Sequence, residues 1–154
     1  MMRALTVQPP WAWAIIHGGK LIENRTQLWQ YRGPLAIHAG KRWSEHGGAS
    51  DLIGEAFDRA TANGGALFDA EAWSARGAII GVVDLVDCHP DAGCCRPWGE
   101  SAYVEHGGRS RRNVTHLVLE NPHALPSPIY ATGQMGMWNV PTDIADLIEQ
   151  GIAQ

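Results

Sequence analysis

The feature that most constrains the fold is an almost continuous apolar run over residues 77–87, with the sequence GAIIGVVDLVD. Its β-branched residues are typical of a strand that is buried on both faces, which places it near the centre of a sheet. Gly81, in the middle of the run, predicts a bend or bulge of the kind that barrels need in order to close. The sequence therefore predicts a curved sheet around this strand.

Shorter segments predict further strands, with helices between them. The other predicted strands cover residues 4–7, 21–25, 35–39, 113–120 and 133–140. The predicted helices cover residues 12–16, 44–62, 68–73 (with Asp69 as a possible cap), 100–105 and 144–152. Asn121-Pro122 is expected to end the strand before it, and the proline-rich residues 125–129 cannot form a central strand. About five bent strands interrupted by helices favour a small mixed α+β barrel, but periodicity alone does not separate this from an open α+β sheet.

A cluster of charged residues follows the first predicted helix. Gly18-Gly19 stops that helix, because glycine adopts the left-handed conformation at low cost. Lys20 comes next, and then a predicted strand that carries Glu23 and Arg25. Side chains two residues apart share one face of a strand, so Glu23 and Arg25 point the same way. This pattern predicts a polar pocket at a helix–strand corner.

The chemistry of Lys20 has three interpretations. A lysine in a partly desolvated pocket can serve as a base or nucleophile, whereas a neighbouring Glu23 would hold it as a charged donor. A surface pair of the two residues would have no function and contribute about 0–1 kcal/mol. Trp11 likewise either packs in the core or stacks on a flat ring of a ligand. The sequence leaves these alternatives open.

Length and charge limit the class of protein. The 154 residues suit one domain, 1–154, and the net charge of −4 does not fit a protein that grips long nucleic acid through bulk charge. Local basic groups remain at Lys41-Arg42 and at Arg109, Arg111 and Arg112. No apolar run reaches the roughly 20 residues of a membrane helix, and the N-terminus lacks the apolar length of a secretory signal. We expect a cytoplasmic protein without membrane contact, and its oligomeric state stays open.

The three cysteines give a weak metal signal. Cys88-His89 and Cys94-Cys95 could supply four ligands, but adjacent residues rarely reach the same tetrahedral ion and no Cys-x-x-Cys pair is present. In a cytoplasmic protein the thiols are expected to be reduced. The spacing therefore predicts no zinc, and we expect no cofactor.

The corner resembles the signature of the ASCH domains, which belong to the PUA-like superfamily. The pattern Gly-x-Lys-x-x-Glu-x-Arg is present as residues 18–25, after Gln8-Pro9-Pro10-Trp11-Ala12. Weaker similarities lie at residues 31–39, 77–83 and 133–138, so the resemblance covers nearly the whole chain. It implies one ASCH domain with a small PUA-like mixed β-barrel and peripheral helices, and it places the strand of His38 beside the corner.

The resemblance implies two functions. Many ASCH and PUA-like domains are thought to bind RNA, which would make this chain a binding protein for RNA or a modified nucleoside. The expected ligand-binding residues are Gln8, Trp11, Lys20, Glu23, Arg25, His38 and Lys41. Trp11 would stack on a base, Lys20, Arg25 and Lys41 would contact phosphate or base edges, and Glu23 would accept from a base amino group.

The second implied function is enzymatic. A small bacterial branch of the family hydrolyses the amide of N4-acetylcytidine with a lysine, a threonine three residues later and a later glutamate. Lys20 matches the lysine, but Glu23 stands where the threonine should be. Glu105 matches the later glutamate through an Ala-x-x-Glu spacing. If the chain is an enzyme, the catalytic residues are expected to be Lys20, Glu23 and Glu105. We favour binding, because the catalytic hydroxyl is missing.

Overall fold

The computed structural model describes residues 1–101 and 113–154 of the chain. Within them lie six strands in one mixed sheet, in the order β2-β5-β4-β3-β1-β6. They are β1 (Arg3–Val7), β2 (Ile22–Arg25), β3 (Gly33–Ala39), β4 (Ala78–Pro90), β5 (Thr115–Tyr130) and β6 (Met137–Asn139). β1 and β3 are parallel and the other pairs are antiparallel. The sheet curls into a half-barrel, so the predicted α+β class with a curved, barrel-like sheet is confirmed.

The central strand was predicted correctly. β4 pairs with β3 on one side and β5 on the other, and most of its first residues are buried. The register with β5 shifts between Ile79 and Gly81, where the glycine predicted a bulge. Further shifts follow along β4, and together they give the curvature that a sheet of long strands needs to curl.

The expected end of β5 at Asn121-Pro122 was wrong. β5 continues through the prolines to Tyr130. Its pairing with β2 covers residues 115–118, so within the described ranges the part that holds the prolines pairs with β4 alone. Proline is tolerated on a strand with an unpaired edge, because a nitrogen that faces this edge has no ladder hydrogen bond to lose. Asn121 takes a left-handed conformation with φ 52°, which fits the register shifts opposite it.

The described ranges contain five α-helices. They are α1 (Trp11–His17), α2 (Glu45–Gly48), α3 (Asp51–Thr61), α4 (Ala70–Ser74) and α5 (Thr142–Ile152), with a 3-10 turn at Ala62–Gly65. The single helix expected over residues 44–62 is divided into α2 and α3. Asp69 caps α4 as predicted, since its carboxylate accepts the amide hydrogen of Ala72 at 3.0 Å. Within this part of the chain, no helix is both long and apolar enough to cross a bilayer.

Helix α1 lies in the interior of the half-barrel. All residues from Ala12 to Ile16 are buried; Ile15 and Ile16 pack with the sheet, and Trp13 packs against α3 and α4. The opposite face of the sheet is covered by α5 through Ile148. After α1, Gly19 adopts φ 75°, a conformation that favours glycine, and turns the chain into β2. This turn places Lys20 at the inner end of a cleft.

Candidate functional site

The site is built around one buried carboxylate. Lys20 Nζ lies 2.9 Å from Glu23 Oε1, and Arg25 Nε donates to Glu23 Oε2 at 3.0 Å. Only 2% of Lys20 and 7% of Glu23 are exposed to solvent. Glu23 and Arg25 share one face of β2, as the alternation predicted. The three residues therefore form a single hydrogen-bonded unit, which we call the Lys–Glu–Arg cluster.

The two cations of the cluster determine the protonation state of Glu23. Burial acts to raise the pKa of Glu23, but the charges and hydrogen bonds of Lys20 and Arg25 outweigh burial and lower this pKa from 4.5 to about 2. Glu23 is therefore an anion at neutral pH. With two cations around it, the cluster carries one net positive charge.

The cluster is held from several elements. Lys20 Nζ also donates to the carbonyl of Ile22, and Arg25 Nη2 donates to the carbonyl of Thr6 at 2.8 Å. Thr6 lies on β1, which is separated from β2 by three strands in the sheet order. Curling of the sheet is thus what brings Arg25 to β1. The ring of Trp11 lies 5.5 Å from Lys20 Nζ and adds a cation–π contact.

The cleft above the cluster is lined by all seven residues expected to bind ligand. They are Gln8, Trp11, Lys20, Glu23, Arg25, His38 and Lys41. Gln8 and Lys41 are exposed at its rim, whereas Lys20, Glu23 and His38 are buried. The cleft has a volume of 1880 Å³. Small-molecule sites usually enclose about 300–1,000 Å³, so there is room for a ligand larger than one nucleoside.

His38 forms part of the wall of the cleft. Its Nε2 donates to the carbonyl of Ala131 at 2.8 Å, and its Nδ1 accepts from Thr6 Oγ1 at 3.3 Å. Thr6 Oγ1 in turn accepts from the indole N–H of Trp138 at 3.0 Å. Burial lowers the pKa of His38, and the bond to Ala131 opposes this effect. Both ring nitrogens are thus engaged: Nε2 holds the segment after β5 at Ala131, and Nδ1 faces Thr6 of the neighbouring strand β1.

The structure adds residues to the cleft that the sequence interpretation missed. Trp98 lies next to Trp11, with the two rings 6.5 Å apart and nearly perpendicular. Asn24 holds this loop in place: its Nδ2 donates to the carbonyl of Trp98 at 3.0 Å and its Oδ1 accepts from the amide of Glu100 at 2.9 Å. Asn24 lies inside the signature, but its two partners are 74 and 76 residues away in the chain. No local sequence pattern could therefore have predicted its role.

Two groups of residues that were singled out in the sequence fall in the part of the chain that the structure does not describe. Glu105 and the basic residues Arg109, Arg111 and Arg112 lie outside the residues that the structure describes. The possible catalytic set of Lys20, Glu23 and Glu105 is thus represented in the cleft by its first two members.

The curled half-barrel sheet with several helices is consistent with the PUA-like fold of ASCH domains. The family model of the ASCH domain matches residues 5–122. The chain therefore belongs to the ASCH family, as the signature at residues 18–25 predicted.

Solved structures show the same fold. The chain is similar to crystal structures of an ASCH protein from Zymomonas mobilis. One variant of that protein has a TM-score of 0.56 and 12% identity, with 97% of this chain and 96% of that chain covered. The structure titled simply as the ASCH protein has a TM-score of 0.53 and 10% identity, covering 97% and 94%. A search of curated proteins found no match.

Proposed function

We propose that the cleft binds single-stranded RNA or a modified nucleoside, with the Lys–Glu–Arg cluster at its inner end. The ASCH family is linked to RNA binding, which supports this class of ligand. The observation that carries the proposal is the arrangement of two cations on one buried carboxylate at the inner end of an open cleft. Such an arrangement presents donors in fixed positions.

The donors of the cluster suit phosphate or the edge of a base. Within the described chain, Glu23 and the carbonyl of Ile22 account for two of the three N–H groups of Lys20. Among the described residues, the hydrogen bonds of Arg25 use Nε and Nη2, and in our proposal Nη1 contacts the ligand. A guanidinium held in this way loses little entropy when it binds, and it matches phosphate or guanine geometry.

Glu23 has a different role from the base contact expected from the sequence. Each of its oxygens already accepts a hydrogen bond from Lys20 or Arg25, and the residue is 7% exposed. In our proposal Glu23 therefore orients the two cations, and the ligand contacts the cations.

The upper part of the cleft supplies aromatic and basic groups. Trp11 and Trp98 lie in an edge-to-face arrangement, and single-stranded bases commonly stack on such side chains. The exposed Lys41 and Arg42 line the same cleft, and in our proposal they contact phosphate. Because few cations are involved, binding should have a small salt slope.

The proposal is tested by fluorescence anisotropy of a labelled single-stranded RNA at several salt concentrations. With about two phosphate contacts, the slope of log K against log salt should be about −1.4. Lys41→Ala should weaken binding and reduce the magnitude of the slope by about 0.7, the share of one phosphate contact. Arg59→Ala is the matched control, since Arg59 is an exposed cation on α3 that does not line the cleft.

Two outcomes would contradict parts of the proposal. Absence of RNA binding at low salt would exclude the RNA arm, and calorimetry with N4-acetylcytidine would then test the nucleoside arm. Equal loss of affinity in Lys41→Ala and Arg59→Ala would show that binding depends on overall charge and that the cleft has no special part in it.

A further inference from the structure

A second group of polar side chains lies where β4 ends and β5 begins. Its members are His89, Cys94, Cys95 and His116. Their potential ligand atoms all lie within 4.8 Å of one another. We call this group the Cys2His2 cluster. It shares no member with the Lys–Glu–Arg cluster.

Each histidine directs an unprotonated nitrogen at a sulfur. His89 Nδ1 lies 2.8 Å from the carbonyl oxygen of Pro90, and His116 Nε2 lies 2.7 Å from the carbonyl oxygen of Glu100. A carbonyl oxygen only accepts, so these nitrogens carry the hydrogens in the neutral rings. The lone pairs are therefore on His89 Nε2 and His116 Nδ1, which lie 3.7 Å from the sulfurs of Cys95 and Cys94 respectively.

These distances fit a tetrahedral zinc ion. With Zn–S of about 2.3 Å and Zn–N of about 2.0–2.1 Å, a sulfur and a nitrogen on one ion lie about 3.6 Å apart. The carbonyl that orients each imidazole is the usual outer partner of a zinc-bound histidine. The carboxylate of Asp91 also lies 3.7 Å from His116 Nε2, and His116 is completely buried.

We propose that the Cys2His2 cluster binds one Zn²⁺ ion as a closed structural site. Two thiolates neutralise the ion, and four protein ligands complete its tetrahedral shell, which leaves no position for catalysis. The sulfurs of Cys94 and Cys95 lie 2.8 Å apart, so they separate by about 1 Å to reach the roughly 3.8 Å that tetrahedral coordination requires. The left-handed backbone of Cys95, with φ 70°, accompanies the approach of both adjacent side chains to one point.

The site would fix one wall of the cleft. It joins β4, β5 and the loop that contains Cys94 and Cys95, and this loop continues directly to Trp98 and Glu100. Both of these residues line the cleft and are hydrogen-bonded to Asn24. Zinc would hold the start of this segment and Asn24 its end, so the position of Trp98 would be coupled to the metal.

The test measures zinc in the full chain purified under reducing conditions without chelators. We expect one zinc per chain by plasma mass spectrometry. Cys94→Ser, Cys95→Ser and His116→Asn should each lower zinc to background. Cys88→Ser is the matched control, because Cys88 lies outside the cluster and should keep one zinc per chain. Reconstitution with Co²⁺ should give thiolate charge-transfer bands and the visible bands of tetrahedral cobalt.

A second measurement does not depend on the folding of variants. In the wild type, alkylation should spare Cys94 and Cys95 until zinc is removed with a chelator, as peptide mass spectrometry would show. The proposal is overturned if the reduced wild type contains no zinc and gives no cobalt bands when Co²⁺ is added. It is also overturned if Cys94 and Cys95 are joined in a disulfide, or if Cys88→Ser loses as much zinc as Cys94→Ser.

Discussion

Replacing Glu23 by glutamine tests the Lys–Glu–Arg cluster directly. The substitution removes the negative charge and keeps the size of the side chain, so Lys20 and Arg25 lose their shared partner. The pKa of Glu23 lies at about 2 against an ordinary value of 4.5. This difference corresponds to about 3 kcal/mol of folding stability at neutral pH. The range measured for broken buried ion pairs, about 3–5 kcal/mol, is similar.

The pH dependence has a definite sign. The native pKa is lower than the unfolded one, so the unfolded chain binds more protons between pH 4.5 and about 2. The contribution of Glu23 is therefore complete above pH 4.5 and is lost as the pH falls toward 2. Glutamine resembles the protonated acid, so wild type and Glu23→Gln should converge in stability as the solution becomes acidic.

The assay is urea unfolding of both proteins at several pH values from about 7 downward. Glu55→Gln is the control, since Glu55 is an exposed residue of α3 and its replacement should change stability by less than about 0.5 kcal/mol. A difference of less than about 1 kcal/mol between wild type and Glu23→Gln at neutral pH would refute the reasoning. If the two proteins differed by more than this in their free energy of unfolding, but by the same amount at every pH, the charge of Glu23 would not be the cause of the difference.

Two other predictions concern the cleft wall and catalysis. In Gly133→Ala the new methyl group would lie 2.5 Å from Cε1 of His38, so the melting temperature should fall; Gly54→Ala, on an open helix face, should raise it slightly. We also expect no acetate release from N4-acetylcytidine, as measured by an enzymatic acetate assay. Turnover that disappears in Lys20→Ala and drops strongly in Glu105→Gln would instead establish the hydrolytic alternative.

Local sequence patterns predicted several features that depend only on neighbouring residues, although they missed the break between α2 and α3. The end of α1 at Gly18, the turn at Gly19 and the common face of Glu23 and Arg25 follow from glycine conformation and strand alternation. The same holds for the cap at Asp69. The family signature lies within eight consecutive residues, 18–25, so it could be recognised without any tertiary information.

Patterns were insufficient where pairing partners decide the outcome. Asn121-Pro122 looks like a strand end, yet β5 continues because its edge beyond residue 118 is not paired with β2. The prolines are visible in the sequence, but how far β2 pairs along β5 is known only from the structure. Likewise, the sequence interpretation grouped Cys88 with the other cysteines, whereas the structure brings in His116, which is 21 residues after Cys95 in the chain.

The charged residues of the site were identified from the sequence, but their burial and their interactions were not. Lys20 could have been a solvated surface residue, a base or a charged donor, and its identity does not distinguish these. Curling of the sheet brings Arg25 of β2 to the Thr6 carbonyl of β1 and buries Glu23 between two cations. Because desolvation and Coulomb interactions depend on distances between strands that are remote in the chain, only the tertiary structure decides that Glu23 is an anion that orients Lys20 and Arg25.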